Sequence, residues 1–359
     1  MIEWYDGFDQ YGANEDLMND GAWAEASDFT LSATQARTGG RSLAMTIIGA
    51  QGRRALATEV GTKVGMGCAI FMDRLPIPPF NAVRGASVIQ QFRNESNRSH
   101  ISIQVGPTGR IYIMGGGLDR VSSTTGVNGP VELAKSTRQI AAGAWNHIET
   151  IVEVGVGVSV RVNGKAFVAY TGTTDFAQVG ATEIAQIAIG HFDSSIPVEY
   201  NLLWFDDIFV QTGDDIDFLG ELEVHYLLPV SDQPPQDWSL TTGVNAYALI
   251  NEIPPDDDVD YIFSEGTGDQ ARFAVQPLPV DIVSVAAVAP LARVRKTDSG
   301  SCEVQLSVFS VATLEEAPDT HAPTTAYQYF FDVWETDPGN ENDPWTPTSM
   351  PAIQIERVV

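Results

Sequence analysis

The chain has 359 residues, with 47 acidic against 20 basic side chains and a net charge of −27; so acidic a surface repels phosphate backbones, which excludes nucleic acid as a natural partner. Its hydrophobic content of 43% is that of a folded protein, and its length exceeds one ordinary core, so two domains are expected. Cys68 and Cys302 stand alone in opposite halves, which excludes a disulfide framework and fits folding in a reducing cytoplasm.

The N-terminus, Met1-Ile-Glu-Trp-Tyr-Asp6, has neither the basic start nor the apolar core of a signal peptide. Glu3–Phe8 reads as a first strand, followed by a polar, helical turn over Asn14–Asn19. Gly39-Gly40 feeds a strand with Leu43, Met45 and Ile47 on one face. Met66–Asp73, Ala86–Arg93, Ser99–Val105 and Arg110–Met114 are further strands, the last two joined as a hairpin by Pro107-Thr-Gly109. Pro76, Pro78 and Pro79 mark a loop, and Glu132–Ala141 reads as a short helix.

The clearest pattern lies in Trp145–Gly164. Ile148, Val152, Val154, Val156, Val158, Val160 and Val162 fall on even positions, and Glu149, Glu153, Ser159, Arg161 and Asn163 on odd ones. That period of two predicts paired strands with one face on a core and the other in water. Asn163-Gly164 is a hairpin signal ahead of Lys165–Tyr170. Ile184–Phe192 and Tyr200–Val210 complete the first half. About a dozen short antiparallel strands predict a β-sandwich over residues 1–213.

The charge changes at that point. Residues 214–359 carry 26 acidic and 5 basic side chains, against 21 and 15 in residues 1–213. Strands are expected at Phe218–Leu228, Tyr247–Ile250, Val259–Ser264, Asp281–Ala289, Ser301–Val311, Ala326–Trp334 and Ala352–Val358. Ser231–Asp237 reads as a loop and Asp298-Ser-Gly300 as a hairpin turn. Residues 218–359 therefore predict a second, smaller β-sandwich, making the whole chain all-β. The longest apolar run, Ile282–Ala292, is too short to span a bilayer and contains Pro290.

Candidate chemistry is sparse. Asp206-Asp207 interrupts an apolar strand; neighbours on a strand point to opposite faces, so the expectation is one aspartate in water and one accepting bonds from a loop, with calcium the competing reading. Asp256-Asp-Asp258 with Asp260 resembles a calcium loop in composition but lacks the glycine and closing glutamate of an EF-hand, so a solvated loop is expected. Glu335-Thr-Asp337-Pro-Gly-Asn-Glu341 has the carboxylate spacing of concanavalin-like hydrolases, but Pro338 and Gly339 break the strand the spacing needs, leaving a turn. The histidines (100, 147, 191, 225, 321) form no metal-ligand pair, and no nucleophile elbow or phosphate loop is present. No cofactor, metal or catalytic set is thus assigned. Cys68 reads as core, as do most of the seven tryptophans; Trp238 and Trp345, in polar loops, are the candidates for sugar platforms.

The order Asp6-Gly-Phe-Asp-Gln-Tyr-Gly12, Thr38-Gly-Gly-Arg-Ser-Leu43, Ala144-Trp-Asn-His-Ile-Glu149, Val160-Arg-Val-Asn-Gly164 and Phe205-Asp-Asp-Ile-Phe-Val210 resembles a LamG-like, concanavalin A-type jelly roll. The continuation through Asp217–Val224, Asp258–Ile262 and Asp343–Thr348 resembles virion proteins of tailed bacteriophages, in which such a domain precedes a second β domain. The resemblance implies a non-enzymatic structural protein of the virion surface, made in the host cytoplasm and released by lysis, without membrane insertion. It leaves open a tail fibre, spike or head-fibre component binding host surface polysaccharide, a decoration protein, or a glycan depolymerase. Its partners would be other virion proteins and copies of itself, with a trimer favoured for a fibre; edges such as Ile282–Ala289 would need covering. Host contact is expected from residues 1–213, where Asn81, Arg84, Asn94, Asn97 and Arg98 lie in loops and the charge is less negative.

Overall fold

A computed structural model describes residues 1–13, 17, 23, 25–27, 29–45, 51–56, 62–76, 87–116, 131–174, 183–190 and 202–359. The chain is all-β. It divides into two compact units, Met1–Phe8 with Trp23–Val224, and Asp9–Ala22 with His225–Val359. Of the helical turn expected over 14–19, only Leu17, a buried helical residue, lies within the described residues.

The first unit contains β1 (Ile2–Asp6), β2 (Glu25–Ser27), β3 (Phe29–Ser32), β4 (Ser42–Met45), β5 (Gln51–Ala55), β6 (Lys63–Met72), β7 (Ser87–Arg93), β8 (Ser99–Val105), β9 (Ile111–Gly115), β10 (Val131–Lys135), β11 (Trp145–Glu153), β12 (Gly157–Val162), β13 (Lys165–Thr171), β14 (Gln186–Gly190) and β15 (Leu203–Thr212). An eight-stranded sheet runs β13-β12-β11-β6-β15-β4-β3, with β1 also on β15; a seven-stranded sheet runs β10-β9-β8-β7-β14-β5-β2. Every pairing is antiparallel, and most neighbours are distant in sequence, the connectivity of a jelly-roll sandwich.

The inner faces meet over Val64, Met66, Cys68, Ile70, Ile148 and Val152 on one side and Val88, Phe92, Ile101 and Ile187 on the other, all buried. Gln90 crosses between the sheets. Its amide donates to the Met66 and Ile148 carbonyls, both at 3.2 Å, and its carbonyl accepts the Thr150 hydroxyl at 2.6 Å. Each end is thereby satisfied, as a polar group inside a dry core must be. Cys68 lies beside it, and burial pushes its thiol up to about 12, so it is core and not nucleophile.

The turns follow their chemistry. Asn163 and Gly164 both have positive φ, 48° and 69°, giving the tight hairpin between β12 and β13. Gly109 closes the β8–β9 hairpin at φ 77°, where a Cβ would lie 2.4 Å from the Ile140 carbonyl oxygen. The first four residues of the helix expected over Glu132–Ala141 instead lie in β10 at the sheet edge, and no helix follows. Pairing with β9 overrides a local helical preference.

The second unit contains β16 (Pro229–Gln236), β17 (Ser239–Leu240), a 3-10 turn at Tyr247–Leu249, β18 (Ile262–Phe263), β19 (Gln270–Val275), β20 (Leu291–Val294), β21 (Val304–Ser310), β22 (Thr313–Glu316), β23 (Gln328–Phe331), β24 (Thr336–Asp337), β25 (Asp343–Pro344) and β26 (Ala352–Arg357). Its main sheet runs β16-β19-β26-β21-β22, with three two-stranded ladders besides. Register places Ala271, Phe273, Ile353, Ile355, Leu306 and Val308 on one face. Two apolar clusters cover that face, one around Ala246 with Trp238, Leu240 and Tyr247, the other around Trp334 and Trp345.

Several local expectations are corrected here. Phe218–Leu228 is extended but pairs with no strand, while the supposed loop at 231–237 lies mostly within β16. β16 is an edge strand with register shifts, the one sheet position where Pro234 and Pro235 cost no ladder bond. The strand expected at Tyr247–Ile250 is the 3-10 turn Tyr247–Leu249 followed by Ile250, and Val259–Ser264 shrinks to β18. Asp281–Ala289 is irregular and pairs only through Val288 and Trp334. Asp298 accepts the Gly300 N–H at 2.8 Å as a local turn, but it joins no hairpin, because β20 pairs with β23.

Candidate functional site

Asp206 and Asp207 are both fully buried, so neither faces water as expected. The cause is a bulge. Against β6, Asp206 pairs with Ala69 and Phe209 with Gly67, three residues advancing opposite two. Asp207 takes φ 48°, which turns both carboxylates toward the same place. The bulge sits where β15 changes neighbours, from β4 at Leu203–Phe205 to β1 at Ile208–Gln211. The Arg37-Thr38 turn supplies the partners there. Asp206 accepts the Arg37 N–H at 2.8 Å and the Asp207 N–H at 2.9 Å. Asp207 accepts the Thr38 hydroxyl at 2.8 Å, the Arg37 guanidinium at 2.8 Å and the Val224 N–H at 2.8 Å. Burial, with the charge of Asp207, pushes Asp206 up to about 8; burial raises Asp207 as well, with Arg37 opposing the rise. These oxygens are spent on donors from the protein itself, which is what a structural clamp requires.

The motif residues at the N-terminus are structural in the same way. Asp6 is buried and accepts the Phe8 N–H at 2.9 Å and the Trp23 indole N–H at 3.0 Å. Trp23 packs edge-on against Trp4, 5.1 Å between ring centroids.

The outer face of the eight-stranded sheet, expected in water, is exposed at Ser159 and Ala169 of β12 and β13 but covered at β11. Glu149 is buried and its carboxylate accepts the Leu219 N–H at 2.6 Å and the Gly220 N–H at 3.1 Å. His147 is buried beside it, stacked on Phe209 with 5.9 Å between centroids, and neither ring nitrogen has a hydrogen-bond partner. Burial and the charge of Arg37 lower its pKa to about 3, so the ring is neutral. Gly67 makes room for Phe209: a Cβ there would stand 2.0 Å from the ring.

The outer face of the seven-stranded sheet is different in kind. Register places Arg53, Ala188, Gln91, Ser102 and Met114 in one row, flanked by Gln186 with Arg93 and by Gln104 with Tyr112. The Gln91 carbonyl accepts Arg93 Nε at 2.8 Å and the Ser99 hydroxyl at 2.7 Å; Gln104 donates to Ser102 at 3.2 Å, and Arg53 to Gln186 at 3.4 Å. The Gln91 side-chain N–H₂ is buried with no hydrogen-bond partner. Gln91, Arg93, Ser102, Gln104, Met114 and Ala188 are buried, and the row reaches the surface at half-buried Arg53, Gln186 and Tyr112, a set of amide, guanidinium and phenol groups suited to hydroxyl-rich ligands. Of the loop residues singled out from sequence, Asn94 accepts the Arg98 N–H and Asn97 accepts Arg93, so both shape the β7–β8 turn; Asn81 and Arg84 lie outside the described residues.

The remaining candidates separate. Among the described residues, Glu252, Asp256 and Asp260 are the one group with metal-ligand spacing, their carboxylates within 4.8 Å of one another. Asp257 and Asp258 are tied instead to Arg293 and Arg295, which stack on Tyr329 and Tyr327. Asp337 is buried and accepts the Gly339 N–H at 2.9 Å, while Glu335 and Glu341 are exposed, so the hydrolase-like spacing is a turn. Trp345 is buried with its indole on the Trp334 carbonyl at 2.8 Å, and Trp238 packs on the Ala246 cluster with its indole on the Asp269 carbonyl; neither is an exposed sugar platform. His321 pairs with Asp332 at 2.8 Å and His100 faces the Glu183 carbonyl, far apart in role. His191 lies outside the described residues.

No protein-family model and no curated protein matches the chain. Among solved structures, the family 14 alginate lyase from Aplysia kurodai is 8% identical, with a TM-score of 0.43 over 59% of this chain and 100% of its own. Cellulose induced protein Cip1 is 15% identical, with a TM-score of 0.37 over 59% and 98%. The carbohydrate-binding module CBM66 from Bacillus subtilis is 11% identical, with a TM-score of 0.32 over 52% and 98%.

Proposed function

We propose that the chain is a non-enzymatic glycan-binding protein of the tailed-bacteriophage virion, contacting host surface polysaccharide through the outer face of its seven-stranded sheet. The polar row around buried Gln91, which comes to the surface at Arg53, Gln186 and Tyr112, is the observation that carries the reading. Half-buried Arg53 and Tyr112 at the margins of the row offer a cation and a ring, the two contacts that sugars and uronic acids use most readily. The strongly negative second unit would repel acidic polysaccharide, which favours contact by the first. The resemblance of the ordered motifs to virion proteins supports the particle setting. The non-enzymatic part is supported by the fate of Glu335, Asp337 and Glu341, which form a turn in place of a strand of stacked carboxylates.

The full chain, applied to arrayed envelope glycans, tests this. Arg53→Leu and Tyr112→Ala should each weaken capture about tenfold, the scale of one charged hydrogen bond or one stacked ring. Capture unaffected by either change, or no capture at all, overturns the glycan site and leaves a decoration role. Release of reducing sugar overturns the non-enzymatic reading. Absence of the chain from purified particles overturns the virion setting.

A further inference from the structure

We propose that residues 214–224 form a releasable strap, latched to the outer face of the eight-stranded sheet by side chains and able to detach while that sheet stays folded. The segment follows β15 directly but joins no strand ladder. Its ties are individual. Lys63 Nζ donates to the Asp214 and Ile216 carbonyls, Gln211 to the Asp217 carbonyl, and Arg37 to the Leu222 carbonyl at 2.7 Å. Glu149 holds the Leu219 and Gly220 amides, Asp207 holds the Val224 amide, and Arg161 lies 4.1 Å from the Phe218 ring centroid. A ladder strand in a central sheet opens only with its neighbours, whereas a segment held this way opens on its own.

Charge makes the latch conditional. Glu221 and Glu223 on the strap lie 3.7 and 3.5 Å from Arg37, which also holds Asp207, while the charges of Asp217 and Arg161 act on Glu149 with opposite signs. Detachment removes the backbone donors from Glu149 and the Val224 donor from Asp207, and frees eleven residues with a reach of roughly 35–40 Å. Burial raises the pKa of Glu149, with the charge of Asp217 adding to the rise, so the closed strap favours its protonated form; the same burial keeps His147 neutral. Raising the pH therefore loosens the latch at the carboxylates.

Hydrogen exchange on the full chain, corrected for intrinsic rate, reads this directly. The Leu219, Gly220 and Val224 amides should exchange at least about a hundredfold faster than Ile148–Val152 in β11, the separation expected of local against global opening. Glu149→Ala, which removes both acceptor oxygens, should speed Leu219 and Gly220 about tenfold further and leave β11 unchanged. Protection of the strap amides equal to that of β11 in the native chain overturns the proposal, as does a variant that speeds both equally. Arg161→Ala, which removes the stack on Phe218 and a cation near Glu149, gives the same comparison should Glu149→Ala fail to fold.

Discussion

Two runs of aspartate, Asp206-Asp207 and Asp256-Asp-Asp258 with Asp260, look alike in sequence and meet opposite fates. The first is wholly buried in a bulge of β15, with each oxygen facing a fixed donor. The second lies on a surface loop, where Arg293 and Arg295 neutralise two of four carboxylates and the rest crowd one another and Glu252. The lesson is that desolvation, not acid density, decides how much an aspartate matters. A buried carboxylate must be compensated by specific partners or cost several kcal/mol, while an exposed one is compensated by water.

Removing the cations breaks the comparison most sharply. Arg37→Met leaves Asp207 buried without its counter-ion, and chemical denaturation should show a loss of about 3–5 kcal/mol. A loss under 1 kcal/mol would place the pair on the exposed side of the contrast. Arg295→Ala, which frees Asp258 at the surface, should cost no more than about 1 kcal/mol in the same measurement.

The pH dependence of stability sharpens the contrast next. Asp206 has a folded pKa raised to about 8, so its contribution is fully present below the ordinary carboxylate range and is lost as pH rises through about 8. His147 is lowered to about 3, so stability at this ring is retained above the ordinary histidine range and lost as pH falls from there toward 3. Melting curves across pH 4–9 should therefore flatten on the alkaline side in Asp206→Asn and on the acidic side in His147→Phe. The second variant should also be more stable than the parent near neutrality, because it keeps the stack on Phe209 and removes two unbonded nitrogens. An unchanged profile in Asp206→Asn would assign the alkaline limb to the net charge of the whole chain.

The smallest effect belongs to the exposed cluster. Asp256→Asn with Asp260→Asn relieves repulsion against Glu252, so the melting temperature should rise slightly at low ionic strength. At about 0.15 M salt, screening should abolish the difference. A difference that persists in salt would mean that this loop is far less solvated than its exposure indicates.

Much of this molecule is written in local pattern. Alternation over Trp145–Val162, the Asn163-Gly164 turn and the Pro107–Gly109 turn each determined strands and hairpins that the folded chain contains, because period and turn conformation are properties of a few adjacent residues. The all-β class followed from the same signals. Local pattern could not say what lies on a strand's polar face. Glu149 alternates like a solvent residue, yet a segment seventy positions later covers it. Nor could it foresee that β15 changes partners at Asp206, which turns two neighbours that ought to oppose each other into one clamp. In the second unit the strands are short and their cover irregular, so Pro-rich 229–236 became an edge strand and apolar 281–289 did not become a strand at all. Backbone pairing there is settled by which edges are left open once the core is buried. That is a property of the assembled sheet, because a hydrogen-bond ladder needs a second strand that may lie anywhere in the chain.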